Sequence, residues 1–320
     1  MLAAYIDQTG DLDEIKFGEI ADPIINEHEV LVEITAVSVN FVDTFVRSGG
    51  FQTKLNFPFV LGRDGVGVVK EIGQKVTDFQ VGDLVWTNSM GYDGRAGTAS
   101  QLVAIPSQRL FKIPNQVDPI KLVAAVHSAA TAAILLTDIL KVEAKKNILI
   151  EGGAGHVGIK LVELAKSLNL QVATTSNTKD FDKFSSFGAV KAYDYHQPIS
   201  QISQKFDYIV DTSGNVDLQM NLNQLKLGGQ IALITAPSDN QFSFDVRQMY
   251  TQDQAIKGFV ISHAPLSQLR KAAKLLNQAF AQGKLLDDKI VQLPMAQMKQ
   301  AQSMLLNHQT DGQKIVLTWR

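Results

Sequence analysis

The clearest chemistry lies in six residues at the middle of the chain. Gly153-Ala154-Gly155-His156-Val157-Gly158 fits G-x-G-x-x-G. The loop follows a short apolar run, Asn147–Glu151, and opens an amphipathic segment carrying Ile159, Val162, Leu164 and Ala165. Each glycine has a physical reason. The first allows a tight turn, the second lets the backbone approach a pyrophosphate, and the third lets helix and strand pack closely. A helix starting there offers free N–H groups and a partial positive charge to phosphate oxygens. Strand, loop, helix and a further strand in this order read as a dinucleotide site, with Gly153, Gly155, His156, Val157 and Gly158 around the pyrophosphate. His156 either touches a phosphate or projects into solvent.

An NAD site places an acid at the end of the second strand, about 20 residues on, to hold the ribose hydroxyls. Here that stretch reads Thr174-Thr175-Ser176-Asn177-Thr178-Lys179. Small polar groups and a lysine suit a 2′-phosphate, so Ser176 and Lys179 are its candidate ligands and NADPH is favoured over NADH. Asp180 is the rival, and it also reads as a first-turn carboxylate with Asn177 as N-cap. Ala236, and Phe259 to Ile261, follow two later strands at C-terminal ends, where such sheets bind ligands. Ala236, Phe259 and Ile261 are therefore expected to face the nicotinamide.

The elements that position these residues differ along the chain. Residues 30–37 alternate apolar and polar as a half-buried strand does. Residues 66–72 and 84–86 are further short β-rich runs, separated by turn signals such as Val81-Gly82-Asp83 and Tyr92-Asp93-Gly94. This spacing suggests a barrel-like β domain. From residue 147 strands alternate with helices: strand Asn147–Glu151, helix 156–168, strand 170–175, helix 180–187, strand 208–211, helix 216–226, strand 230–235. That alternation means a parallel, doubly wound sheet. Near the end come a long helix, 266–282, and an apolar strand, 314–319. This last strand has no partner in the parallel unit and is expected to return to the N-terminal β domain.

Composition sets the outer bounds. At 320 residues the chain has room for about two domains. Hydrophobic residues at 45% supply a sizeable core, and a net charge of -2 argues against nucleic-acid binding. The absence of cysteine excludes disulfides, thiolate nucleophiles and thiolate zinc sites. The N-terminus lacks a signal-peptide pattern. The apolar stretch 122–136 is interrupted by His127, Ser128 and Thr131 and falls short of the ~20 residues that span a bilayer. A cytoplasmic protein without a membrane partner is expected.

Several segments together resemble the zinc-free branch of the medium-chain dehydrogenase/reductases, the quinone oxidoreductase (zeta-crystallin-like) group. Asn40-Phe41-Val42-Asp43-Thr44-Phe45-Val46-Arg47-Ser48-Gly49 is similar to that group's N-x-x-D-x-x-x-R-x-G segment. Leu61-Gly62-Arg63-Asp64-Gly65-Val66-Gly67-Val68-Val69, then Val81-Gly82-Asp83-Leu84-Val85, resemble its G-x-D-x-x-G-x-V…G-D-x-V pattern. The loop at 153–158 and the closing Gly312-Gln313-Lys314-Ile315-Val316-Leu317 also match. The resemblance covers essentially the whole chain. It implies an α/β protein with a GroES-like β-barrel domain, residues 1–120 and 265–320, a Rossmann domain, residues 121–264, and a cleft between them.

It also implies NADPH-dependent, zinc-independent hydride transfer to a small electrophile: a quinone, an enone or an alkenal. An enoyl-thioester reductase and a nucleotide-binding sensor or structural protein with little turnover remain as alternatives. Relatives pair as homodimers, and the alternating residues 241–246 offer a sheet edge for this. Arg63 stands at the histidine position of the zinc members' Gly-His-Glu-type motif, and the six histidines show no ligand spacing. Asn40 and Thr131 are implied near the nicotinamide. Each also has a plain structural reading, as a turn residue and as a helix hydroxyl bonded to its own backbone. Phe51 stands where many relatives carry tyrosine, which removes a phenol but leaves an aromatic wall. Asp43 and Asp64 are candidate acids and also candidate structural carboxylates, with Arg47 and Arg63 as ionic partners. No Ser/His/Asp arrangement is defended by spacing. Tyr195, where relatives carry Asn-Tyr, joins Ser176 and Lys179 at the 2′-phosphate or is an exposed turn residue. Lys314 of the closing segment is a further candidate cofactor ligand.

Overall fold

Eleven residues with period-two alternation build the spine of the N-terminal part. In a computed structural model, which describes residues 1–319, Glu29–Val39 is one strand. Val30, Val32 and Ile34 are buried while Glu33 and Thr35 face outward. The strand pairs antiparallel with Asp64–Ile72, Leu102–Pro106 and Lys314–Thr318. Two register shifts against Asp64–Ile72 bend the sheet. In space the strands run Ile290–Pro294, Lys314–Thr318, Glu29–Val39, Asp64–Ile72, Leu84–Thr87, Phe111–Lys112. A smaller sheet sets Leu2–Ile6 between Lys16–Glu19 and Phe59–Val60. Val32, Val69, Val85, Ile105, Ile315 and Leu317 lie in one core. The last strand thus returns to the N-terminal sheet, with Ile315 opposite Val39.

The chain divides into two units, residues 1–127 with 265–320, and residues 128–264. Helix Leu266–Ala281 belongs to the first and buries Leu269, Ala272, Ala273, Leu276 and Phe280, a single stripe at helical spacing. Helix Pro119–Ile134 carries the chain from the first unit into the second and runs on through a π-turn, Leu135–Ile139. The continuous 21 residues are longer than the expected run at 122–136, and by length and composition alone they match a membrane span. However, 78% of the most apolar window is buried within the protein.

The second unit is a six-stranded parallel sheet. In space its strands run Val190–Asp194, Gln171–Ser176, Asn147–Glu151, Phe206–Asp211, Leu225–Leu233, Ala255–Gly258. Numbered within the unit this is 3-2-1-4-5-6, the dinucleotide-binding order, with its switch point between Asn147–Glu151 and Phe206–Asp211. Three sequence expectations need correction. Residues 180–187 lie in a 3₁₀ segment, Thr178–Phe187, rather than an α-helix. Helix 216–226 is shorter, Leu218–Gln224, because Asp217 caps its start by accepting from Met220 N and a strand begins at Leu225. Residues 241–246 are not a strand. Phe242 and Phe244 both pack on the core, and Asp245 caps helix Val246–Thr251 by accepting from Gln248 N. The sequence argument for pairing through that segment falls with it; the edge strand is Ala255–Gly258.

Two loop glycines separate folding from ligand access. A Cβ on Gly158 would lie 2.2 Å from Gly152 O and 2.7 Å from Gly153 Cα. A Cβ on Gly155 would meet only Gly152 O, at 3.3 Å. Gly158→Ala is expected to destabilise the second unit by about 1–3 kcal/mol, the usual cost of overpacking. Gly155→Ala is expected to melt near wild type, with thermal denaturation as the measurement for both.

Candidate active site

The C-terminal ends of the parallel strands hold the first group of residues. Gly152 N donates to Thr175 Oγ1 at 3.2 Å and Gly153 N to Thr175 O at 2.9 Å, which fixes the loop onto the second strand. Helix His156–Ser167 then starts with Gly155 as N-cap, and no side chain caps its first turn. An uncapped helix start, with no side chain on its N-cap Gly155, fits the pyrophosphate of a dinucleotide. Ser176 ends the next strand, buried, and its Oγ donates to Asn177 O at 3.2 Å. Tyr195 N donates to Ser176 O at 3.1 Å, so Tyr195 sits beside Ser176. The Tyr195 ring is exposed and packs 4.2 Å from that of His196. Asn177 caps the 3₁₀ segment through Lys179 N, and Asp180 is engaged by Lys183 at 2.9 Å. The carboxylate nearest Ser176 in register is Asp194, whose Oδ1 is held by His196. Phe259 N donates to Leu233 O, Ile261 is buried just after the last strand, and Ala236 follows Leu225–Leu233. Thr131 is buried in helix Pro119–Ile134.

A buried carboxyl pair lies at the switch point. Glu151 and Asp211 are register partners at the ends of adjacent strands, and both are fully buried. Asp211 Oδ1 accepts from Ser213 N, Ser213 Oγ and Gly214 N. Glu151 Oε2 accepts from Asn221 Nδ2 at 2.9 Å. Glu151 Oε1 and Asp211 Oδ2 have no hydrogen-bond partner. Burial, and then the charge of Asp211, push the Glu151 carboxyl from 4.5 up to about 8.

The first unit holds a second polar group. Asn40 precedes helix Phe41–Ser48, and its backbone N–H donates to Asp43 Oδ2 at 2.7 Å. Its Nδ2 donates to Ser38 Oγ at 3.0 Å and to Asp64 Oδ2 at 2.6 Å. Lys314 Nζ donates to its Oδ1 at 2.7 Å. His127 Nδ1 lies 3.0 Å from Asp64 Oδ2. Asp64 is fully buried, whereas the His127 side chain is 13% exposed. Burial raises Asp43 to about 6, opposed by the Asn40 N–H. Of the two expected ionic partners, Arg47 is engaged elsewhere. Arg47 Nε donates to Gln302 Oε1 and Nη1 to Gly10 O, so Arg47 is an internal brace. Arg63 feels the charges of both Asp43 and Asp64, as expected, but its Nε and Nη1 have no hydrogen-bond partner.

Sequence reasoning overlooked His127, which is 63 residues from Asp64, and only the fold brings the two together. It also overlooked Tyr92. Phe51 packs 5.5 Å from the Tyr92 ring, so a phenol stands beside the position where one was thought missing. Its signal was the turn Tyr92-Asp93-Gly94, read only as a turn. Among the described residues no three His, Asp or Glu side chains cluster as metal ligands.

Residues 26–115 match the family model of the alcohol dehydrogenase GroES-like domain, and residues 157–278 match that of the zinc-binding dehydrogenase. The chain is 26% identical to a quinone oxidoreductase of Lama guanicoe, over 99% of this chain and 97% of that one. It is 30% identical to an NADPH-dependent alkenal/one oxidoreductase, chloroplastic, of Arabidopsis thaliana, over 71% of this chain and 60% of that one. The solved structure of Escherichia coli quinone oxidoreductase complexed with NADPH matches with a TM-score of 0.83 at 18% identity, covering 99% of this chain and 100% of that one. At that identity the likeness is one of fold.

The carboxyl pair predicts an unusual pH dependence. Unfolded, Glu151 loses its proton near 4.5; folded, it keeps it to about 8. Across that window the folded chain binds a proton that the unfolded chain lacks, so stability falls as pH rises. Glu151→Gln is expected to flatten that decline, measured as denaturation midpoints at several pH values between 5 and 9.

Proposed function

We propose that this chain, which belongs to the quinone oxidoreductase-like branch of the medium-chain dehydrogenase/reductase family, reduces a quinone or another activated carbonyl or alkene with NADPH and without zinc. The observation that carries this reading is the loop at residues 152–158. It sets an uncapped helix start at the switch point of a 3-2-1-4-5-6 sheet, with Ser176, Lys179 and Tyr195 grouped at the end of the next strand. The relatives named for NADPH support the choice of nucleotide. The absence of cysteine and the guanidinium at position 63 support the zinc-free part.

NADPH, when bound, supplies a hydride. Backbone N–H groups around Gly155, Val157 and Gly158, with His156, hold its pyrophosphate. Ser176, Lys179 and Tyr195 hold the 2′-phosphate, while Ala236, Phe259, Ile261 and Thr131 serve the nicotinamide end. The acceptor gains one hydride and one proton and becomes a hydroquinone, a saturated carbonyl compound or, from a carbonyl itself, an alcohol. His127 is the group assigned to that proton. Asp64 holds its Nδ1, the orienting role carboxylates play for working histidines. Asn40 and Lys314 in turn fix Asp64, with Asn40 donating to the carboxylate and accepting from Lys314. Tyr92 against Phe51 provides an aromatic wall with a hydroxyl, which favours turnover over a silent nucleotide binder.

Purified protein treated with a chelator is expected to consume NADPH with a para-quinone or an alkenal. Loss of all turnover after chelation would overturn the zinc-free reading. Lys179→Ala is expected to raise KM for NADPH about tenfold and leave KM for NADH unchanged, since one charge-assisted contact is lost. His127→Gln is expected to lower kcat by about 10²-fold, the scale of general acid catalysis, and to alter the pH profile of kcat.

A further inference from the structure

A buried arginine that serves only the fold satisfies its donors. Arg47 does so: it is 4% exposed, and its Nε and Nη1 both donate to oxygens. Arg63 does not. It is 1% exposed, and its Nε and Nη1 have no hydrogen-bond partner. Unmade hydrogen bonds on a buried guanidinium are costly, so a structure that keeps them has another use for the group.

Two further arginines stand with it. Met90 N donates to Arg63 O at 3.1 Å, which ties Arg63 to the loop that follows Leu84–Thr87. In that loop Arg95 Nε donates to Ser89 O at 3.3 Å, and Arg109 Nη1 donates to Ser89 Oγ at 2.8 Å. One serine therefore anchors two guanidiniums beside the third. Burial, reinforced by the charges of Arg95 and Arg63, brings Arg109 down to about 10. The charges of Asp43 and Asp64 reach Arg63 without hydrogen-bonding its Nε or Nη1. Asp93 is 3.6 Å from Arg95 but largely exposed. Asp64 is held by His127 and Asn40, and Asp43 is raised by burial. Among the described residues, no carboxylate lies within ion-pair distance of Arg109. The Tyr92 ring sits 5.4 Å from the Arg63 guanidinium and 5.5 Å from the Phe51 ring, so an aromatic surface adjoins the positive charge.

We propose that Arg63, Arg95 and Arg109 bind a carboxylate carried by the acceptor, so that the substrate is an anionic quinone or activated alkene with a flat body lying against Phe51 and Tyr92. The planar guanidinium fork matches a carboxylate through two parallel N–H bonds. Such a site discriminates strongly against a neutral analogue, which leaves its donors unpaired. This inference rests on the reductase reading for its substrate class, but binding can be read without turnover.

The test compares trans-3-benzoylacrylate with its amide, two activated alkenes of one shape that differ in charge. The chain has no cysteine for either to alkylate. With saturating NADPH, the acid is expected to show at least a tenfold higher kcat/KM than the amide, with the difference in KM. Arg95→Gln and Arg109→Gln are each expected to cut that preference about tenfold, and added salt is expected to narrow it in wild type. Inorganic phosphate is expected to compete with the acid more strongly than with the amide. Calorimetric titration of benzoylacrylate into wild type and both variants reads the site directly. Equal kcat/KM for acid and amide, or a preference that survives both substitutions, overturns the anion site and leaves the reductase reading standing. Arginine-dependent binding of the acid with no oxidation of NADPH by either compound overturns the reductase reading and leaves the anion site standing. Phosphate binding without preference for the acid assigns the cluster to a free anion and overturns the proposal.

Discussion

The pairing of Lys314–Thr318 with Glu29–Val39 is the contact on which the first unit's chemistry depends. It joins strands from near the two ends of the chain in one sheet, with Ile315 set against Val39. That register places Lys314 beside Asn40, and Lys314 donates to its Oδ1. Asn40 then has both amide hydrogens committed to Ser38 and Asp64, and Asp64 holds His127. A slip of one residue would turn Lys314 to the opposite face of the sheet. The ammonium would leave the network, and Asn40 would face a buried carboxylate without its cation. Buried polar groups of this kind hold only when every member is satisfied. The arrangement of the site is thus set by a strand pairing across nearly the entire length of the chain.

The second unit works by local rules. Its loop is fixed by bonds to the neighbouring strand and by the small volume of its glycines. Its helix start is left open because Gly155 has no side chain to cap it. The two units therefore divide the work. One leaves backbone donors open at a helix start; the other holds a network of charged side chains with an aromatic wall. Arg47 and Arg63 mark the contrast within the first unit, because only one of them is completed by the fold itself.

How much was readable from residue order follows from this difference. The G-x-G-x-x-G loop and the strand–helix alternation are local signals, and the parallel sheet could be inferred from them. The alternation at residues 241–246 misled because both phenylalanines point inward without a neighbouring strand to pair with, and the next aspartate begins a helix. Of the two arginines offered as ionic partners of Asp43 and Asp64, Arg63 feels both charges, yet Arg47 reaches Gln302, 255 residues away. The Asp64–His127 contact and the three-arginine group leave no periodic trace, since their members come from separate strands, loops and a helix. Spacing can reveal elements and loops closed within one turn; it carries no information about side chains that meet across a sheet.

The proton kept by Glu151 has a consequence for the loop above it. Two ionised carboxylates at the switch point would oppose the positive end of the adjoining helix, where phosphate charge is to be held. Keeping Glu151 neutral removes half of that opposition. By linkage, an anion arriving at the loop tightens the hold on this proton, and the proton strengthens the hold on the anion. On the proposed reading, the base of the nucleotide site would act as a small charge buffer, in which acidity and cofactor occupancy rise together.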